Sequence, residues 1–571
     1  MTIRKRICCG YVVDVSVGHP IHDGSIRLLD AKGRELRHVC PNPDREWRLD
    51  LDEECVSVEF NFTGYIPKIV DAANIPQRGA RIKLLPDEPV GYVGNVDCWP
   101  GDTLEVHVHS PREWRIQLHR HGLDKKLILE SNLYPPNLQT VPDCPFVHKG
   151  LEWKVATKIE IPHDATSGLF SISIIDISGK CFIFPLVVAP SEGVVQDQTH
   201  FVVVGNTNTW QAYNIWGGKS RYRNFDKDPL NGGVPLPITQ AGNSWAWRRV
   251  KTALVRRVFR FWRYFMRKIK GSNIRVDVSG IRLEPCWVSE PLSVRRPMPN
   301  RWLNAESPYS CYLDHLAANE WRALAWLERE NFSYHYFSDQ QLHRGDFDFS
   351  RYQGIVLIGH AEYWSREMYE KLHSAVVKAG VPLLNLAGNA IYQEVKFAAD
   401  GGVVPQHGDF LETCADSSKL LCAATDLSVS GFAAFKLTTK SHWALKGVQG
   451  HDSGDGSYCI GAKSLIDVNL ADNIKTYDPF SPGLLRGNMY GCGASGWEVD
   501  KLTGSCRNSA FVLARGVNKG GGADMILVEN DDLFLFSASS IAFISSLLVD
   551  EACSHLMRNV FEKITYFSHR H

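Results

Sequence analysis

The sequence predicts a multidomain chain of mixed class, with two N-terminal β-sandwich modules followed by an open parallel-sheet α/β catalytic domain. The first observation is length, because 571 residues are too many for one hydrophobic core. The second is a change of pattern near residue 196, where short β-rich runs give way to apolar strands alternating with amphipathic helices. The third is composition: 44% apolar and 22% charged residues are ordinary for a folded soluble protein.

The first predicted domain covers residues 1–87. Its runs YVVDVSV, GSIRLLD and SVEFNFTGY are short and β-rich, and turn-forming stretches separate them. This order of strands and turns resembles the transthyretin-like, carboxypeptidase-regulatory type of β-sandwich. Because modules of that type are mostly accessory, the resemblance implies no chemistry in this part of the chain.

The second predicted domain, residues 88–195, is another β-sandwich, of immunoglobulin-like kind, followed by the linker-like stretch APSEGVVQDQ. Within its run VHVHS, His107 and His109 are two residues apart and therefore share one face of a strand. Such a pair could bind a metal or could simply form a polar strand face. With no third ligand nearby, the polar strand face is the favoured interpretation.

The third predicted domain covers residues 196–571. The apolar runs FVVVG, YQGIVLIG and VPLLNLAG predict parallel strands, and REMYEKLHSAVVKAG predicts a helix that closes on Gly380. Each of the three strands leads into a polar turn: GNTNTWQAYN, GHAEYW or AGNAIY. Because the carboxyl ends of parallel strands meet at one edge, these turns predict a ligand crevice there.

The turn GHAEYW carries the strongest candidate site. His360 and Glu362 follow a strand end directly, Tyr213 follows the first strand, and Asn389 ends the next one. A carboxylate with phenolates is a hard anionic ligand set that suits ferric iron, and an asparagine can donate to an oxyanion. The alternative is a hydrogen-bonded structural turn in which Tyr213 packs beside neighbouring tryptophans. Tyr363 is assigned to packing in either case.

Six motifs occur in order across residues 206–546, and together they resemble the large subunit of N,N-dimethylformamidase and its relatives. They are NTWQAYNIWGGKS, WLERENFSYHYFSDQQLH, GHAEYWS, AGNAIY, GASGWEVD and FSASSIAFISSL, and a weaker similarity extends back to about residue 88. The resemblance implies hydrolysis of a linear amide C–N bond at a mononuclear Fe³⁺ held by two tyrosines and one glutamate. It also implies that a small partner subunit can be needed.

The motifs transfer the family's site residue by residue. Tyr213 and Glu362 match two of the metal ligands, while His360 and Asn389 match the catalytic residues beside the metal. Phe536 is the best match to the phenylalanine of the C-terminal motif and joins the predicted catalytic set.

One position departs from the family pattern. Met298, in LSVRRPMPN, stands where the second tyrosine ligand is expected, and a thioether is a poor ligand for ferric iron. Tyr312 is the predicted replacement, with Tyr309 as the alternative. The sequence also leaves open a different metal at this site, or a site without any metal. The chain is then either a metal-dependent amidohydrolase or a catalytically silent, ligand-binding relative.

A basic amphipathic helix is predicted near residues 245–273, as an insertion in the third domain. Three interpretations stay open: a solvated helix packed on its own domain, a subunit interface in a homo-oligomer, and peripheral contact of residues 245–270 with anionic lipid. Nucleic acid is not an expected partner, because Lys+Arg and Asp+Glu both total 63.

The sequence also predicts a cytoplasmic protein. No apolar run has the length of a signal peptide core or of a transmembrane helix. Fifteen cysteines without a CxxC motif are expected to be mostly buried thiols rather than disulfides or zinc ligands.

Overall fold

The structure is a computed structural model, and strand residues outnumber helical residues in it. No disulfide joins the described cysteines, and no described helix is long and apolar enough to cross a membrane. The basic segment predicted at 245–273 lies outside the described residues. The structure describes residues 6–21, 23–41, 46–143, 146–191, 200–225, 291–310, 315–398, 401–405, 417–426, 429, 431–452, 457–465, 493–506, 509–518, 521–531 and 533–568.

The N-terminal part consists of two facing sheets. Three strands pair in the order β4-β1-β7 and four in the order β3-β2-β5-β6, and a buried apolar cluster that includes Trp47 and Phe60 fills the space between them. This is the sandwich architecture that the sequence predicts, while its transthyretin-like character stays a prediction. The strands are β1 (Arg6–Asp14), β2 (Gly24–Leu29), β3 (Glu35–Val39), β4 (Trp47–Leu51), β5 (Ser57–Phe62), β6 (Lys68–Asp71) and β7 (Ala80–Leu84).

The next part is also made of two sheets, ordered β13-β10-β8 and β12-β11-β14-β15-β9, with a second apolar cluster around Trp114. Alternating apolar residues on the long strands face this cluster, as the period-2 pattern predicts. The strands are β8 (Val90–Val93), β9 (Asp97–Cys98), β10 (Thr103–His109), β11 (Trp114–His121), β12 (Lys125–Glu130), β13 (Thr157–Glu160), β14 (Gly168–Asp176) and β15 (Cys181–Val188).

The histidine pair of β10 is buried rather than on a solvent-facing polar surface. His107 stacks on Tyr92 at 4.7 Å, and its Nδ1 lies 2.7 Å from the carbonyl oxygen of Trp153. Nδ1 of His109 accepts a hydrogen bond from the backbone of Gln139. Both rings therefore face the same packed aromatic surface and have ordinary structural partners.

The third part is built on one ten-stranded mixed sheet. Five strands pair in parallel in the order β17-β16-β18-β20-β32, and the order continues through β31-β30-β25-β27-β26 with antiparallel pairs. The ten strands are β16 (Phe201–Gly205), β17 (Tyr334–Ser338), β18 (Gly354–Gly359), β20 (Leu383–Ala387), β25 (Phe435–Leu437), β26 (His451–Asp452), β27 (Tyr458–Ile460), β30 (Phe511–Gly516), β31 (Asp524–Glu529) and β32 (Phe534–Ser537).

The central parallel strands are buried on both faces. Val203 and Val356 pack into one large apolar cluster, whereas Val202 and Ile355 pack into the other. Continuous apolar runs such as FVVVG form these strands because both faces must be apolar. Short strands cross the end of the sheet: β19 (Tyr363–Ser365), β21 (Gln393–Phe397), β22 (Val403–Pro405), β23 (Ala423–Thr425), β24 (Phe432–Ala433), β28 (Ser495–Gly496) and β29 (Asp500–Leu502).

The helices lie between and after the strands. The predicted helix at REMYEKLH ends at His373 and continues as one wider turn, Ser374–Lys378, before Gly380 adopts a φ of +68°. The glycine C-terminal signal was therefore correct. The helices are α1 (Thr207–Tyr213), α2 (Ala317–Arg329), α3 (Asp339–Arg344), α4 (Arg366–His373), α5 (Ile544–Leu547) and α6 (Glu551–Ser568).

Candidate active site

The turn after β18 begins at a position that favours glycine. Gly359 has a φ of +65°, a backbone conformation that glycine adopts without steric cost. The chain then runs through His360 and Glu362 into β19. The carbonyl oxygen of Glu362 accepts backbone hydrogen bonds from Tyr392 and Gln393. The two neighbouring strand ends are thus tied together, as the predicted crevice edge requires.

Two glutamates, Glu362 buried and Glu498 partly buried, form the centre of the site together with one buried histidine. Nε2 of His360 lies 3.2 Å from a carboxylate oxygen of Glu362 and 3.2 Å from one of Glu498. Neither contact has the alignment of a hydrogen bond, so the attraction is mainly electrostatic. Burial lowers the pKa of His360, but the charges of Glu498 and Glu362 outweigh that effect and raise the pKa to about 10.

Asn389 fixes the second glutamate. Its Nδ2 donates to a carboxylate oxygen of Glu498 at 2.6 Å, and its Oδ1 accepts from the hydroxyl of Thr425 at 2.9 Å. The backbone N–H of Asn389 donates to Asp500. The side chain of Glu498 is 15% exposed, against 7% for Glu362, so Glu498 is the more accessible of the two glutamates.

Three tyrosines line the other side of the centre. The hydroxyl of Tyr222 donates to Glu362 at 2.8 Å and lies 2.7 Å from the hydroxyl of Tyr363. The ring of Tyr213 lies 4.3 Å from that of Tyr222. Burial, with Glu498 and Glu362 close by, raises the pKa of Tyr213 well above its usual value. Tyr363 therefore does more than pack, because its hydroxyl belongs to the same network.

His315 completes the cluster, directly before α2. Its ring lies 4.6 Å from that of Tyr213, 5.3 Å from that of His360 and 4.9 Å from that of Trp497. The residue is fully buried, and neither ring nitrogen has a hydrogen-bond partner. A buried polar group without a partner costs about 1–3 kcal/mol and calls for an explanation.

The backbone around the cluster is strained at several points. Asn389, Ile391 and Trp497 have φ values of +50°, +52° and +72°, which L-residues rarely adopt. A Cβ at Gly388 would lie 2.4 Å from the carbonyl oxygen of Glu498, so this close approach of two chains requires glycine. Strain of this kind concentrates at functional sites, where surrounding packing maintains it.

A buried arginine shapes the loop that carries Tyr222. The guanidinium of Arg296 donates to five carbonyl oxygens at 2.8–3.2 Å, and burial lowers its pKa to about 9. The Arg-Pro segment therefore organises the site although Met298 replaces the expected tyrosine. The five acceptors belong to Gln211, Asn214, Trp216, Lys219 and Ser293.

Glu320 fixes the helix that presents Tyr213. Its carboxylate accepts hydrogen bonds from Asn206 at 3.1 Å and from Trp210 at 2.8 Å, and also from the hydroxyl of Tyr336. Burial raises its pKa to about 7, and these hydrogen bonds offset only part of that effect. Glu320 thus connects the start of α1 to α2 and β17.

A pH dependence of stability follows from Glu320. A carboxyl whose pKa is higher in the folded state contributes stability below its ordinary pKa of 4.5, which is lost as the pH rises to about 7. We expect the wild-type protein to lose about 3 kcal/mol relative to Glu320→Gln over that range. Denaturant unfolding at a series of pH values measures the difference. Parallel pH profiles for the two proteins would contradict it.

The N-terminal part contacts the Tyr222 loop. The carbonyl oxygen of Val15 accepts a hydrogen bond from Gly217 at 2.8 Å, and the rings of His19 and Phe225 lie 4.3 Å apart. The expectation that this part is only accessory did not anticipate these contacts. They place it directly behind one wall of the site.

Removal of residues 1–86 is therefore expected to lower activity. A chain starting at Asp87 should lose about tenfold to a hundredfold in turnover, because the loop that holds Tyr222 loses its support. A chain lacking only residues 1–5 is the control. Steady-state kinetics on both, with circular dichroism to verify folding, provide the measurement. Unchanged turnover in the chain that starts at Asp87 would mean that residues 1–86 are only accessory.

Not every predicted site residue joins the cluster. Phe536 is fully buried on β32, within the same apolar cluster as Met298 and Val356. Tyr309 is 39% exposed in a short 3₁₀ turn, and Tyr312 lies outside the described residues. The roles assigned to these residues stay predictions.

Three residues of the cluster had no role assigned from the sequence. Glu498 lies within the motif GASGWEVD, so its carboxylate could have been considered there. His315 lies three residues after Tyr312, the predicted replacement for the tyrosine that is missing at Met298. Tyr222 has no sequence signal, because only the tight loop after α1 brings it back to Glu362.

The donors of the cluster restrict what could bind there. Within the described ranges, no three His, Cys, Asp or Glu side chains are grouped so as to hold a metal ion. A three-ligand metal site here would therefore need a donor of another kind, and the phenols present are those of Tyr213 and Tyr222, whose rings lie 4.3 Å apart.

A surface cleft lies apart from the glutamate–histidine cluster. A cleft with a cavity volume of about 640 Å³ is lined by Asp97, Trp99, Arg295 and Arg344, among others. None of the residues lining it belongs to the glutamate–histidine cluster. The cleft is therefore separate from the candidate site formed by His360, Glu362 and Glu498.

Comparisons with known proteins identify one family. The family model described as "N,N-dimethylformamidase beta subunit-like, C-terminal" matches residues 115–244 and 276–555. No curated protein matches the chain. The match spans most of the chain, including every residue of the cluster.

The solved structures that match are distant. Native alpha-2-macroglobulin of Escherichia coli is 12% identical, with a TM-score of 0.11, over 32% of this chain and 12% of that one. The two immunoglobulin domains of DIP-gamma are 10% identical, with a TM-score of 0.14, over 32% of this chain and 95% of that one. The chain spans about a tenth of the macroglobulins that it matches, and no argument rests on these likenesses.

Proposed function

The chain belongs to the N,N-dimethylformamidase beta subunit-like family, and from that premise we propose that it hydrolyses the C–N bond of a small linear amide. One observation carries the proposal: Glu362, His360 and Glu498 converge in a buried cluster at the carboxyl end of β18. The mixed ten-stranded sheet is then the core of the catalytic domain, and its parallel half presents the reactive side chains.

The donor set supports a mononuclear metal, for which iron is the family's implied choice. Glu362 and Tyr213 would hold it, as the sequence motifs imply, and Tyr222 is near enough to contribute through its hydrogen bond to Glu362. When bound, such a metal polarises the amide carbonyl and lowers the pKa of water. The remaining chemistry belongs to side chains of this chain.

Glu498 is the proposed general base. Its carboxylate is more accessible than that of Glu362, so an incoming water can reach it. Glu498 takes a proton from that water as the water oxygen bonds to the carbonyl carbon. When the C–N bond breaks, the same proton passes to the departing amine, which leaves a carboxylic acid and an amine. His360, held between the two glutamates, faces the charge of Glu362 throughout and the charge of Glu498 before and after the transfer.

Asn389 positions the base rather than the oxyanion in this arrangement. Its Nδ2 is committed to Glu498 at 2.6 Å, although an amide nitrogen has a second hydrogen to offer. We expect Asn389→Ala to lower turnover by about a hundredfold while metal content stays at the wild-type level. Asn385→Ala, which loses a different buried asparagine that bonds Ser537, is the matched control. Equal losses in the two variants would mean that Asn389 is only structural.

A second candidate function is a ligand-binding relative without turnover. Met298 favours it, because this side chain replaces a tyrosine ligand and packs in the large apolar cluster. The family name further suggests a subunit of a larger assembly, so a small partner chain is part of the proposal.

Product analysis tests the proposed function. The purified protein, with iron added, is incubated with formamide, N-methylformamide and N,N-dimethylformamide, and formate and amine are measured separately. We expect equal amounts of both products, loss of turnover on chelation and recovery when iron is returned. A metal-loaded protein that releases neither product while it still binds these amides would instead support the ligand-binding relative.

A further inference from the structure

We propose that His315 is a metal ligand and takes the place of the tyrosine that is missing at Met298. This inference rests on the proposed function only in assuming that the cluster holds a metal. The sequence motifs imply Tyr213 and Glu362 as two of three metal ligands and leave the third without a residue. The inference names that third ligand.

The first support is the state of the ring. Both nitrogens of His315 are buried without a hydrogen-bond partner. Two other buried histidines do have one: His107 is 2.7 Å from a carbonyl oxygen, and His121 is 2.7 Å from the hydroxyl of Ser171. His360 has no hydrogen bond to either ring nitrogen, but its Nε2 faces two carboxylates at 3.2 Å. Since a neutral imidazole offers one donor and one acceptor, His315 leaves both unused. A metal–nitrogen bond would use the acceptor.

The second support is position. The ring of His315 lies 4.6 Å from the ring of Tyr213 and 5.3 Å from that of His360, which itself contacts Glu362. The ring of Tyr213 therefore packs against the imidazole of His315, and Glu362 is connected to it through His360. His315 lies two residues before α2, whose Trp321 and Trp326 are buried in the same apolar cluster as Val203 and Val356 of the central sheet.

The third support comes from the competing residues. Met298 packs in the large apolar cluster, and its thioether is a weak donor for iron. Tyr309 is 39% exposed. Imidazole, in contrast, is a common ligand for iron and zinc. A set of one phenolate, one carboxylate and one imidazole needs only two His, Cys, Asp or Glu side chains, and no three of these are placed to hold a metal ion in the described part of the chain.

Metal content tests the proposal without measuring activity. Wild type, His315→Ala, Glu362→Gln and His121→Ala are purified and dialysed against limiting iron, and metal per chain is measured by mass spectrometry. His121 is the matched control, because it is fully buried and packs edge-on against Trp321 at 4.4 Å. We expect His315→Ala to lose at least tenfold in metal affinity, as Glu362→Gln does, and His121→Ala to keep the wild-type affinity.

The outcomes separate this inference from the proposed function. Loss of metal from Glu362→Gln but not from His315→Ala overturns the histidine ligand and leaves the amidohydrolase intact. Loss from Tyr312→Phe, with His315→Ala unaffected, also overturns it. A wild-type protein that binds no metal overturns both. If His315→Ala does not fold, pulsed electron paramagnetic resonance of the wild-type iron site decides: we expect nitrogen modulation from a coordinated imidazole that persists in His360→Gln, and its absence contradicts the proposal.

Discussion

Glu362→Gln is expected to remove metal and activity together. The substitution keeps the shape of the side chain but removes the negative charge that faces His360 at 3.2 Å and accepts the Tyr222 hydroxyl at 2.8 Å. A neutral amide is a much weaker ligand for a hard cation than a carboxylate. We therefore expect metal per chain to fall to background and amide turnover to fall by about a thousandfold or more.

Glu394→Gln is the control for this result. Glu394 is a partly exposed glutamate on β21 that pairs with Arg366 at 2.8 Å, away from the cluster. Its replacement should leave both metal content and turnover near wild type, because exposed ion pairs contribute about 1 kcal/mol or less. A Glu362→Gln protein that keeps a full complement of metal would mean that the GHAEYW turn is structural.

Glu498→Gln is expected to separate turnover from metal binding. If Glu498 is the general base, its loss should lower kcat by about a hundredfold to ten-thousandfold. Metal content should stay at the wild-type level, because the proposed ligands are elsewhere. The amide of Gln can still accept from Asn389, so the local hydrogen bond is preserved. KM should change little compared with kcat.

The pH profile provides the second readout for Glu498. Loss of a general base removes the fall in kcat/KM on the acid side, whereas a merely structural loss lowers the whole profile by the same factor. Metal loss from Glu498→Gln would instead reassign Glu498 as a ligand. Unchanged turnover would exclude it as the base.

The parallel strands could be predicted because their requirements are local. FVVVG and YQGIVLIG are apolar at every position, and Val202 and Val203 indeed face opposite clusters. Gly359 marked the turn because its φ of +65° suits glycine. The antiparallel half of the same sheet was not predicted, because its strands are short and the pairing of β25 with β30 joins residues as far apart in sequence as Phe435 and Gly516.

The candidate site could be predicted only in part. His360, Glu362 and Tyr213 were found because each follows a strand that is visible in the sequence. Tyr222 and Glu498 reach the same point through tertiary contacts, the first by a loop that Arg296 folds and the second by the close approach at Gly388. Neither contact has a periodic or local signature.

The most direct test of the metal-centred account is anomalous diffraction from crystals soaked in iron. Data at the iron absorption edge locate the metal without any assumption about activity. The account predicts one strong anomalous peak per chain, bonded to the carboxylate of Glu362, the phenolate of Tyr213 and a ring nitrogen of His315. A soaked crystal with no peak in this cluster, or with its peak at other side chains, would contradict it.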